Sequence, residues 1–181
     1  MRLRTAIAAA ALVASGCAWY GGYEEGSRYV IATNYHASDA LIAMARPSLD
    51  TARPLLMATL VDINDLERSS TLGRLVSENV SARFTQSGYR MVEMKFQNAV
   101  YMRRNEGEFV LTREIRDIAH NHQAQAVVLG TYSRAGGTVF LNLKVVQPDS
   151  NLVLAAQDYA LGVNRDVCLL LGGDTRGCPT Y

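Results

Sequence analysis

The spacing of apolar residues changes period along this chain, and each change marks a predicted element. Residues 5–13 form an alanine-rich apolar run that closes on Ala14, Ser15, Gly16 and Cys17. Residues 18–33 mix Trp19, Tyr20 and Tyr23 with Gly21, Gly22 and Gly26 and show no period, which predicts a linker. Ser38 is the predicted cap of a first helix whose apolar residues include Leu41, Ile42, Met44 and Ala45, and which stops near Pro47. Residues 55–61, opened by Pro54, are almost solidly apolar and read as a buried strand. The polar stretch 62–68 then reads as a turn.

The clearest helical period begins at Ser69 or Ser70, either of which fits the N-cap. Leu72, Leu75, Val76, Val80 and Phe84 recur at steps of three and four, so they share one face. Arg74 and Glu78 are spaced to pair on the polar surface, and Gly88 suits the left-handed residue that ends a helix. A second strand is expected over 89–96. Strand, helix and strand joined this closely make a right-handed crossover, which sets the two strands parallel. Thr112 caps a further helix that buries Ile115, Ile118 and Ala119. Residues 126–132 read as a third strand, and Gly136 and Gly137 as a turn. Val139, Leu141, Leu143 and Val145 alternate with polar neighbours in a fourth strand, and residues 152–161 supply a last one after the turn at Pro148. The predicted fold is a single α/β domain, a mixed sheet with helices packed on it, in the order α-β-α-β-α-β-β-β.

The first segment changes character once its charges are considered. Arg2 and Arg4 precede the short apolar run, and small residues follow it, the arrangement of a signal peptide. The run is too short to span a bilayer as a helix. A cysteine directly after Ala-Ser-Gly resembles a lipobox, in which the thiol is acylated and the chain is cut just before it. Ala14 stands where leucine is commoner, and Ala18 follows the cysteine where an aspartate would favour retention in the inner membrane. The expectation is lipidation at Cys17, with palmitate-like chains in the outer membrane and each buried methylene contributing roughly 0.8 kcal/mol. The chain then divides into a signal (1–16), a lipidated N-terminus and linker (17–37), a folded domain (38–161) and a C-terminal tail (162–181).

Removing the first sixteen of 181 residues leaves 165, enough for one domain with a real core. Losing Arg2 and Arg4 reduces the 18 basic side chains to 16 against 17 acidic ones, a formal charge of −1. That balance does not fit a nucleic-acid binder, which shows a basic excess or stripe. With Cys17 assigned to lipid, Cys168 and Cys178 remain as a pair in a glycine-containing tail. In an oxidising periplasm they are expected to form a disulfide; two free thiols are the alternative. No histidine lies in that tail to make a zinc site with them.

Catalytic groupings are sparse. His120 and His122 are two apart near a predicted helix end, so they point to different faces, and His36 has no evident partner. Phosphate-binding glycine motifs and the serine-hydrolase elbow are missing. Asp62, Asp65 and Glu67 do not have the spacing of a calcium loop, and a solvated turn accounts for them. The expectation is a protein that is not an enzyme and carries no cofactor or metal. Residues 62–68 and the charged run 103–108 are candidate contact loops, equally readable as plain solvent-facing turns.

Several segments in order resemble the FlgO family of flagellar outer-membrane lipoproteins. They are Arg46-Pro47, Pro54 through Asp62, Ser69-Ser70-Thr71-Leu72-Gly73-Arg74, Gly88-Tyr89 with Glu93, Gly107 through Glu114, and Val128-Leu129-Gly130-Thr131-Tyr132. The resemblance spans roughly 38–161 and implies a periplasm-facing domain that supports the flagellum where it crosses the envelope. It further implies partners among other flagellar outer-membrane or periplasmic proteins, with room for a homo-oligomer. The layout is also similar to the curli-secretion lipoprotein family and to the N-terminal domain of the Tol–Pal β-propeller protein. A secretion channel would require additional amphipathic membrane strands, and no stretch outside the predicted core supplies several of these. An envelope hydrolase or ligand-binding protein would require a pocket with converging polar groups.

Overall fold

The structure, a computed structural model, describes residues 22–93 and 113–179. Cys17, Thr112 and the charged run 103–108 lie outside them.

Helix α1 spans Gly22–Ala45, a full turn of helix after another earlier than the expected start at Ser38. Its buried stripe consists of Val30, Asn34, Ala37, Ser38, Leu41, Ile42 and Ala45, spaced at three and four residues. Two polar residues interrupt the stripe in the sequence, and each is satisfied in place. Ser38 does not cap; its Oγ donates to the carbonyl of Asn34 at 2.7 Å, one turn back. Asn34 Nδ2 donates to Asn79 Oδ1, and Asn34 Oδ1 accepts from the Tyr159 hydroxyl, both at 2.9 Å. The stretch 22–37, expected as linker, is therefore helical, and from Val30 on its inner stripe belongs to the domain. A 3-10 turn over Arg46–Ser48, with Pro47 inside it, ends the element.

Strand β1 is Leu55–Met57 and β2 is Val61–Asp62, so the apolar run breaks where one strand was expected. Between them the backbone leaves the regular ladder: Ala58 N donates to Val128 O and Leu60 N to Ser77 Oγ at 2.8 Å. Helix α2, Thr71–Gln86, follows with Ser70 as its N-cap, whose Oγ accepts from Gly73 N at 3.2 Å. Leu72, Val76, Val80 and Phe84 are all fully buried, each contributing roughly 1.5–3 kcal/mol. Gly88 sits at φ +92°, the left-handed conformation the chain needs to leave the helix. Strand β3 (Met91–Glu93) and helix α3 (Arg113–Asn121) come next, then β4 (Ala126–Ala135), β5 (Thr138–Val146) and β6 (Val153–Gly162). A short helix α4, Arg165–Leu170, closes the described fold, with Asn164 Oδ1 accepting from Val167 N.

The sheet runs β3-β1-β4-β5-β6, with β2 also pairing to β4. β1 lies parallel to both β3 and β4, as the crossover rule requires, while β4, β5 and β6 form an antiparallel meander. The main core lies under α1 and α2, where Leu55, Met57, Val128, Leu141 and Leu143 meet Leu41, Val76 and Phe84. A smaller cluster on the opposite face joins Leu56, Val127, Leu129 and Val146 to Ile115 and Ala119 of α3. The result is the α/β single domain expected, with β2 and α4 added. Within the C-terminal segment, Val167 is fully buried in the main core.

Candidate functional site

Several polar and charged side chains come together where β2, the N-terminus of α2, the end of β4 and the segment after α4 meet. They enclose an open cleft of about 530 Å³. The turn from β2 to α2 is tightly bonded: Asp62 N donates to Arg68 O, Arg68 N to Asp65 O, and Ile63 N to Tyr132 O. Asp62 Oδ1 accepts from the backbone and side-chain nitrogens of Asn64 at 2.9 and 3.1 Å. Residues 62–68 thus form a defined projection that presents Ile63, 51 % exposed, at its surface.

Tyr132 ties that projection to helix α2. The residue is 4 % exposed, and its hydroxyl accepts from Ser70 N at 2.7 Å. Beside it, Gly73 lets the helix approach the sheet: a Cβ there would meet Ser69 Oγ, Leu60 O and Tyr132 Cε1 at 2.6–2.8 Å. Arg68 enters the cleft from the turn, Arg74 from α2 and Arg134 from β4. Arg74 Nη2 donates to Thr71 Oγ1, and Arg134 Nε to Gly136 O. None of the three has an ion-pair partner among the described residues. The far wall is Leu171, Gly172 and Gly173.

A disulfide between Cys168 and Cys178 anchors that wall. Gly173 N donates to Cys168 O at 2.9 Å, and a Cβ at Gly173 would meet Cys168 Sγ at 2.7 Å, so the loop folds directly over the sulfurs. The three histidines stand apart from this region. His36 is exposed within α1, not ahead of a helix; His120 Nε2 lies 3.0 Å from Asp149 Oδ1, both exposed; and His122 is exposed just beyond α3. No metal-holding cluster of His, Cys, Asp or Glu occurs among the described residues. No helix among them is long and apolar enough to cross a membrane.

Sequence reasoning singled out 62–68 but not the convergence of Arg68, Arg74, Tyr132 and Arg134. The signal was weak: only the pairing of Asp62 with Tyr132 in parallel β2 and β4 brings these segments together, and β2 was hidden inside a longer apolar run.

The arrangement defines a one-domain α/β protein in which loops and a helix end line an open polar cleft. The chain belongs to the FlgO family, whose model, described as FlgO protein, matches residues 35–166. In fold it is similar to the LpoB C-terminal domain from Salmonella enterica, with a TM-score of 0.52 at 13% identity, covering 74% of this chain and 98% of that one. The LpoB C-terminal domain from Escherichia coli gives 0.45 at 15% identity, over 69% and 97% of the two chains. Lipoprotein GNA1162 from Neisseria meningitidis gives 0.37 at 14% identity, over 60% and 79%. No curated protein matches the chain.

Proposed function

We propose that this protein is an outer-membrane lipoprotein with a periplasm-facing domain that has a structural or assembly role, without catalysis, in the envelope-spanning part of the bacterial flagellum. The carrying observation is the family match over residues 35–166, with Cys17 closing a lipobox-like segment ahead of it. A lipid at Cys17 confines the domain to one surface, which turns weak protein contacts into high-local-concentration ones and makes catalytic machinery unnecessary for the role. The bonded 62–68 projection, with Ile63 outward, supports recognition because a rigid scaffold holds it in place.

The test is complementation of a deletion strain with wild type or Cys17→Ser, read by swimming and by tomography of the motor. Wild type is expected to restore swimming and density beside the outer-membrane ring, while Cys17→Ser folds but leaves the membrane fraction and restores neither. Normal swimming with intact motors in the deletion strain would overturn the flagellar assignment. Retention of Cys17→Ser in the outer membrane, with uptake of labelled palmitate, would overturn the lipid assignment.

A further inference from the structure

We infer that the cleft between α2 and the disulfide-anchored loop binds a phosphorylated sugar, with the phosphate held by Arg68, Arg74 and Arg134. The lining of the cleft includes three arginines and one acidic residue, Asp62, a surplus of two positive charges. A phosphate monoester near neutral pH carries close to two negative charges and matches that surplus; a carboxylate supplies one. Planar guanidinium groups bond phosphate oxygens, and Arg74 and Arg134, each with one hydrogen bond within the protein and no ion pair among the described residues, keep further N–H groups for this. Tyr132 adds an independent sign. The residue is buried and lines the cleft, and its hydroxyl accepts from Ser70 N, while no hydrogen bond among the described residues uses its proton. An anion oxygen in the cleft would take it.

The body of the ligand follows from the rest of the cavity. At about 530 Å³ the cleft falls within the range of small-molecule sites and exceeds what a bare phosphate needs. Its lining residues include Ser69, Ser70, Thr71, Gly172 and Gly173, with Leu171 as the one aliphatic side chain, a composition suited to a sugar and not to an acyl chain. The inference does not depend on the flagellar assignment, since it concerns binding by the isolated protein.

The experiment is calorimetric titration of the full chain, purified in detergent, with glucose 1-phosphate, inorganic phosphate and glucose. Saturable binding of both phosphates, tighter for glucose 1-phosphate, is expected, with no heat from glucose and with weakening as salt rises. Arg74→Gln and Arg134→Gln are expected to weaken binding at least about tenfold, the loss of one charge-assisted contact. Arg53→Gln, outside the cleft, is expected to bind as wild type does, with circular dichroism confirming that all three variants fold. Equal binding of glucose, or wild-type affinity in both cleft variants, would refute the inference. Competition by phosphatidylcholine vesicles bearing a phosphorylated glycolipid would identify a lipid headgroup as the source. Unchanged binding in their presence would identify a soluble sugar phosphate, and both results require the site.

Discussion

The two faces of the sheet are built to different standards. Under α1 and α2, apolar burial is continuous from Val30 to Phe84, and polar side chains lock the helices together. Arg83 Nε and Nη2 donate to the two oxygens of Asp39 at 2.7 and 2.8 Å, while Asn34 bridges α2 and β6 through Asn79 and Tyr159. Burial among these apolar neighbours pushes the Tyr159 phenol pKa up, so it remains a neutral donor. On the other face, α3 covers β1 and β4, and the β5–β6 half carries Phe140, 54 % exposed, beside exposed Ala156 and Ala160. The difference teaches where stability resides: the helix-covered surfaces hold the fold, and the bare β5–β6 half of the second face tolerates change.

The widest contrast is between two phenylalanines. Phe84→Ala removes a fully buried ring from the first face and is expected to cost about 3–5 kcal/mol. Phe140→Ala on the second face is expected to stay within about 0.5 kcal/mol. Urea unfolding of both variants measures this, and comparable losses would mean the two faces are equally demanding. A middle-sized effect is expected at the C-terminus. Cys168→Ser opens the loop closed by the disulfide to Cys178 and should lower stability by about 3 kcal/mol, with reducing agent having the same effect on wild type but none on the variant. If neither treatment moved the unfolding midpoint, Val167 alone would be what docks this segment.

The smallest effect sharpens the comparison from the helix layer. The hydrogen bond from Arg83 holds the Asp39 carboxyl below its ordinary pKa. A depressed carboxyl stabilises the fold above its unfolded pKa and loses that contribution as pH falls through the folded value. Asp39→Asn should therefore lower Tm slightly near neutral pH and converge with wild type in acid. A Tm difference that persists or widens in acid would show that the pair is not the cause. The exposed surroundings of the pair keep the effect small.

The parts legible in the sequence were those governed by local rules. Helix α2 was readable because Ser70, its apolar steps and Gly88 agree about its limits, and the β4–β5–β6 meander because alternation and turn residues coincide. Two boundaries were decided by distant partners. Ser38 looks like a cap, and becomes helix interior because α1 packs on β6 and α2, where Asn34 finds Tyr159 and Asn79. The run 55–61 looks like one strand and divides because Ser77 and Val128, from other elements, bond the intervening backbone. The cleft shared that fate: its arginines lie on a turn, a helix and a strand, and only the register of β2 on β4 gathers them.

The early start of α1 has a mechanical consequence. Only residues 18–21 separate Cys17 from Gly22, a leash of at most about 18 Å even fully extended. A flexible coil from 18 to 37 would have wandered over about 25 Å. Of the helix, about 36 Å long in all, the part from Val30 to Ala45 packs on the domain, and residues 22–29 extend about 12 Å ahead of it. With acyl chains at Cys17, as proposed above, the domain would stay close to the bilayer, at a reach set by that short connection and the 22–29 end of α1. Partners would then have to meet it at one height, and lengthening the leash by a few glycines would blur that height without touching the fold.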